Sequence, residues 1–137
     1  MLLPGLACTH CRMIRLAALF VALLLASPVS AQGLSAEAIA KQNQAIAIRV
    51  QQQLMACWIV PPGEEDQRLA LDIAFFGDGR LDGEAMLSPE SVKAASKRGA
   101  LTESILAAVD RCVPFKGLEA LGADAEERFS VTIYFQS

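Results

Sequence analysis

The chain has 137 residues and a formal charge of −3, and an apolar run near its N-terminus closes on small residues at Ala31, which leaves one small folded domain and excludes a two-domain enzyme. Taking Arg12 and Arg15 away from the 12 basic side chains leaves 10 against 15 acidic ones, a charge of −5 that argues against a nucleic-acid partner. The only histidine is His10, ahead of the apolar run, so imidazole acid–base catalysis and histidine metal ligation are excluded from the folded part.

Arg12, Met13, Ile14 and Arg15 precede an unbroken apolar run from Leu16 to Ala26, followed by Ser27, Pro28 and then Val29-Ser30-Ala31. A basic start, an apolar centre and small residues at the end predict a secretory signal peptide over residues 1–31, cleaved after Ala31. The rival reading is a membrane anchor. As a helix the run rises only about 16 Å against roughly 30 Å of hydrocarbon, so no stable membrane span is expected. Initiation at Met13 instead of Met1 gives a more ordinary signal. Cys8-Thr9-His10-Cys11 has the spacing of a metal or redox pair, but it lies upstream of the apolar run and is expected to be absent from the exported protein.

From residue 32 onward the pattern is helix, strand, strand, helix, strand. Ser35 is a good N-cap with Glu37 in the first turn, and Ile39, Ile46, Val50, Leu54 and Cys57 form one stripe of a helix of about six turns that Pro61-Pro62-Gly63 stops. An acidic loop of Glu64, Glu65 and Asp66 follows. Leu69, Leu71, Ile73 and Phe75 then alternate with Arg68, Ala70, Asp72 and Ala74 in a half-buried strand. Gly77-Asp78-Gly79 suits a type I′ hairpin turn, and Leu81, Ala85 and Leu87 against Asp82, Glu84 and Met86 predict the returning strand. A short helical piece from Ser91 to Lys97 breaks near Gly99. A second piece capped by Thr102 carries Ile105, Leu106, Val109 and Cys112 on one face and ends at Pro114. After a polar loop from Lys116 to Glu127, Phe129, Val131, Ile133 and Phe135 alternate with Arg128, Ser130, Thr132, Tyr134 and Gln136 in a last strand. The expected fold is α+β, a three-stranded antiparallel sheet with two main helices packed on one face, in the order α-β-β-α-β.

The exported part keeps two cysteines, Cys57 and Cys112. In an oxidising compartment one disulfide is expected, and closing a loop of about 55 residues contributes roughly 4 kcal/mol in the chain-entropy model. A catalytic thiol would need an activating base, and no histidine is present to supply it.

Cys57-Trp58 at a helix end, Pro61-Pro62-Gly63, Phe75-Phe76-Gly77-Asp78-Gly79, Arg111-Cys112, Pro114-Phe115 and a terminal strand closing on Phe135 together resemble the C-terminal domain of the TolA family, and more loosely that of TonB. The likeness covers roughly Leu34 to Ser137. It implies that residues 32–137 form a periplasmic, non-catalytic protein-interaction module that needs no cofactor. Its partners would be protein segments of the Tol-Pal type, such as TolB, received by strand addition at a sheet edge. The sequence departs from that family in having a short apolar run and only about ten residues before the domain helix, in place of an anchor and a long helical arm. A second reading is therefore a stand-alone structural or regulatory domain that competes with a full-length TolA-like protein. A hydrolase is the third.

Single residues invite sharper readings. Trp58 reads as core, not as a ligand platform. Asp78, Asp82 and Glu84 lack the twelve-residue spacing of a calcium loop and read as a solvated turn. Asp72 and Glu84 read as a solvated face, not as a glycosidase pair. If the first strand is central, as the resemblance implies, the returning and last strands are the two edges, and Ser130, Thr132 and Tyr134 on the outer face of the last are the expected partner-binding residues, because the returning strand is acidic and contains Gly83 whereas this one is β-branched and aromatic.

Overall fold

A computed structural model describes residues 33–137; the expected signal peptide, the alternative start at Met13 and the Cys8–Cys11 motif lie outside the described residues. The described part is α+β, as the periodicities predict. It consists of α1 (Ala36–Cys57), β1 (Arg68–Phe76), β2 (Met86–Leu87), α2 (Val92–Ala95), α3 (Gly99–Cys112), a 3₁₀ turn (Glu119–Leu121) and β3 (Arg128–Gln136). The strands form an antiparallel sheet in the order β2-β1-β3. No helix among the described residues is long and apolar enough to cross a membrane.

Local chemistry sets the bounds of α1. The Ser35 hydroxyl accepts from the Ala38 N–H at 3.2 Å, satisfying one of the unpaired donors of the first turn. At the other end Arg111 donates to the Cys57 carbonyl at 2.8 Å, and Trp58 turns extended ahead of Pro61. Ile46, Val50 and Leu54 are fully buried. Ile39, on the same stripe, is 44 % exposed, because the first turns of α1 run ahead of the core, whose first member on this helix is Ile46.

The core lies between the helices and one face of the sheet. Leu69, Leu71, Ile73 and Phe75 pair across the ladder with Phe135, Ile133, Val131 and Phe129, and this apolar face meets Ile46, Val50 and Leu54 of α1 and Leu101, Ile105 and Val109 of α3. Burial of each large side chain contributes about 1.5–3 kcal/mol. Phe75 packs edge-on against Phe115 at 5.4 Å and alongside Phe129 at 5.7 Å, closing the hairpin end. Trp58 packs edge-on against Phe135 at 5.3 Å and donates its indole N–H to the Ser104 hydroxyl at 3.0 Å, which fits the core reading of this residue. The expected Cys57–Cys112 disulfide is present, with Cα atoms 6.0 Å apart, and ties the C-terminal ends of α1 and α3.

Three local expectations are corrected. First, the hairpin turn is not type I′, since Asp66 is the only non-glycine residue with positive φ among the described residues and type I′ requires Asp78 to have it. The Gly79 N–H donates to the Phe76 carbonyl and the Phe76 N–H to the Arg80 carbonyl, with Gly79 at φ 88°, which is a three-residue loop ending in a left-handed glycine. Second, the returning strand from Leu81 to Leu87 shrinks to Met86–Leu87. Leu81 bridges Phe75, but the chain then bends at Gly83, φ 88°, and rejoins β1 two positions out of step. Third, α3 starts at Gly99 and not beyond Thr102. The Thr102 hydroxyl donates back to the Arg98 carbonyl at 3.0 Å instead of capping, and Leu106 is 38 % exposed while Leu101 and Ala108 take the buried face. In addition, Leu118 and Ala123 of the supposedly polar loop are buried.

Two outcomes follow from this packing. Replacing both Cys57 and Cys112 with alanine removes a cross-link over a separation of 55 residues, and chemical denaturation should show a loss of about 4 kcal/mol. Mass spectrometry of the non-reduced wild type should find the two cysteine peptides joined. A β-carbon at Gly79 would collide with the Phe115 backbone in addition to the strain of a positive φ, so Gly79→Ala should cost more than about 2 kcal/mol, whereas Gly83→Ala, with open space around it, should cost about 1 kcal/mol. Equal denaturation midpoints for the two variants would contradict this.

A candidate docking edge and the polar face beside it

The two edges of the sheet differ because β1 is closed on one side by a patchwork, whereas no strand among the described residues closes the outer side of β3. On the β2 side, the Arg80 carbonyl accepts from the Phe76 N–H, the Asp82 N–H donates to the Ala74 carbonyl, Met86 pairs with Asp72, and the Ser88 N–H donates to the Ala70 carbonyl. The Ala70 N–H is taken by the Ser91 hydroxyl at 2.7 Å. Ser88, through its backbone N–H, and Ser91, through its hydroxyl, thus complete this edge while only 4 % and 6 % exposed, a role that the sequence pattern did not suggest for a segment that reads as a helix start.

On the other side, β1 and β3 pair without interruption from Arg68–Gln136 to Phe76–Arg128. Just outside that ladder the Gly77 N–H donates to the Glu127 carbonyl at 2.8 Å, and the Ser137 N–H donates to the Gln67 carbonyl at 3.1 Å. Hydrogen-bonded pairs in an antiparallel ladder recur at every second residue, so Phe129, Val131, Ile133 and Phe135 turn their backbone groups toward β1. Ser130, Thr132 and Tyr134 turn theirs outward. No backbone group among the described residues pairs with these outward N–H and C=O groups.

The side chains of the same residues lie on the sheet face away from the helices. The Thr132 hydroxyl donates to Asp72 Oδ1 at 2.7 Å, and the Ser88 hydroxyl donates to the same oxygen at 2.6 Å. These two bonds, Ser88 first, hold the Asp72 carboxyl below its usual value. The Arg68 guanidinium lies 4.2 Å over the Tyr134 ring. The Glu90 carboxylate beside it pushes the Tyr134 hydroxyl above the ordinary tyrosine range. The structure thus joins Thr132 and Tyr134 through β1 to the Ser88–Ser91 segment. Ser130 stands apart from this network, in an open depression of about 460 Å³ shared with Asp72, Asp82, Glu84 and Arg128.

The same geometry bears on the rival readings. Asp72 and Glu84 do line one depression, but Asp72 is stabilised in its charged form, opposite to the shift that a general acid needs. Asp78 is paired with Arg80, and Asp82 with Arg128. No group of three potential metal ligands occurs among the described residues.

The chain belongs to a family described as uncharacterised conserved protein UCP034077, whose profile matches residues 40–137, from the first turns of α1 to the C-terminal residue of the sequence. No curated protein and no solved structure matches it.

Carboxyl NMR titration should place the Asp72 midpoint below the usual 3.8, and Thr132→Val, which removes one of its two donors, should move it upward. Because the folded-state value is lowered, the stabilisation is present above the unfolded pKa and is lost as the pH falls through the folded one. The stability gap between wild type and Thr132→Val should accordingly narrow toward acid pH.

Proposed function

We propose that the protein is a non-catalytic, periplasmic interaction module that receives an extended segment of a protein partner along the outer edge of β3, in the manner that its resemblance to TolA C-terminal domains implies. The observation that carries this reading is the row of outward backbone donors and acceptors at Ser130, Thr132 and Tyr134, the ordinary requirement for strand addition. Natural sheets blunt long edges with charge, proline or bulges. The β2 side has a two-residue strand, a bend at Gly83 and acidic neighbours, whereas β3 carries none of these at its three central outward positions. A Tol-Pal component such as TolB is the partner that the resemblance names, and export by a signal peptide over residues 1–31 would bring the domain to it.

Thr132→Pro is the test. Its N–H points away from β1, so proline there removes an edge donor without removing a ladder bond. Calorimetric titration with TolB should give a dissociation constant raised roughly tenfold, the equivalent of one hydrogen bond. Equal affinities for folded Thr132→Pro and wild type would move the site to another surface.

A further inference from the structure

A depression over the start of β1 belongs neither to the docking edge nor to the core. It has a volume of about 260 Å³ and is lined by Arg68, Ala70, Glu90, Ser91 and Tyr134. Pockets for drug-sized ligands begin at roughly 300 Å³, so this one suits only a smaller molecule. Ala70 forms its floor. That residue is buried although it is on the sheet face away from the helices, since the segment from Ser88 to Ser91 is bonded along β1 beside it.

Three groups around this floor lack the partner that their chemistry requires. The Ser91 hydroxyl accepts from the Ala70 N–H, but no acceptor for its own hydrogen occurs among the described residues, although Ser91 is only 6 % exposed. A donor buried in that condition is costly unless something enters to accept from it. The Arg68 guanidinium pairs with no carboxylate among the described residues. It lies 4.2 Å over the Tyr134 ring, a contact that uses none of its N–H donors and leaves the fork free to receive a carboxylate. Glu90 likewise pairs with no cation among the described residues, and its carboxylate lies beside the Tyr134 hydroxyl. A cation and an anion thus line one depression, each engaged with a different part of the same tyrosine. A plain anion there would meet Glu90, and a plain cation would meet Arg68. A molecule that carries both charges close together satisfies both.

We propose that this depression binds a small zwitterion, a free α-amino acid, with its carboxylate between the Arg68 fork and the Ser91 hydroxyl and its ammonium against Glu90. The mouth is open, so the ligand's side chain points outward and the site selects for the charged pair. None of these contacts uses the outward backbone groups of β3, so the site is independent of docking at that edge.

The test is a titration of the purified, isotope-labelled, disulfide-bonded protein with L-alanine, followed by amide NMR shifts up to about 100 mM, a range suited to so small a ligand. Saturable shifts should appear at Arg68, Ala70, Ser91 and Tyr134. Propionate, which lacks the ammonium, and ethylamine, which lacks the carboxylate, should each bind about tenfold more weakly or worse. Arg68→Gln and Glu90→Gln should each weaken L-alanine binding by about tenfold or more, while Glu90→Gln should improve binding of propionate. Ala70→Val is the second kind of variant. It leaves every charge and backbone hydrogen bond in place but fills the floor, and it should abolish saturation, with unchanged shifts elsewhere reporting that the variants are folded. Wild type without saturable shifts overturns the proposal. So does equal binding of propionate and L-alanine, which would leave a carboxylate site only, or L-alanine binding that Arg68→Gln, Glu90→Gln or Ala70→Val leaves unchanged.

Discussion

The nine-residue pairing of β1 with β3 sets the geometry of everything else in this domain. It places Leu69, Leu71, Ile73 and Phe75 against Phe135, Ile133, Val131 and Phe129, and so makes a single apolar face for the helices to cover. The same alternation decides which backbone groups of β3 are used up and which are left over. A slip of one residue would reverse both at once, sending Phe129 to solvent and turning the Thr132 backbone inward. Packing and the open edge are thus two results of one register.

The opposite edge shows how the chain protects a strand without building a full neighbour. β1 is closed there by a loop carbonyl, two loop N–H groups, two residues of β2 and the side chain of Ser91. Such a mixed boundary satisfies β1 but offers an incoming chain no regular row of groups. The polar network of Ser88, Asp72 and Thr132 then ties this boundary across β1 to β3, with charge-assisted bonds at 2.6 and 2.7 Å. Whatever approaches the outer face meets hydroxyls and a carboxylate already committed to each other.

Strong periodicity was readable in advance, and weak periodicity was not. The alternation of Arg128 to Gln136, the stripe of Ile46, Val50 and Leu54 and the pairing of Cys57 with Cys112 are all expected from the sequence, and the structure has them where the sequence places them. The hairpin departs from type I′ because Asp-Gly suits more than one turn, and the choice depends on Phe115, whose N–H bonds to the Gly79 carbonyl from 36 positions further along the chain. The returning strand is shorter than its alternation predicts because Leu81, Ala85 and Leu87 alternate correctly while Gly83 breaks the ladder between them. Of the proposed site, the residues Ser130, Thr132 and Tyr134 were legible from their position on the last strand. Ser88, Ser91 and Glu90 were not, since their roles depend on where a tertiary turn lays them over β1.

Trp58 gives this arrangement an optical consequence. It is the only tryptophan in the chain, it follows a disulfide-bonded cysteine directly, and its ring touches Phe135 near the end of β3 while its N–H is held by Ser104 of α3. One indole therefore sits where α1, α3 and the end of β3 converge. Its emission senses polarity and the nearby sulfur atoms at that junction, so the protein carries a built-in fluorophore through which opening of the cross-link or a shift of the strand end registers without any attached label.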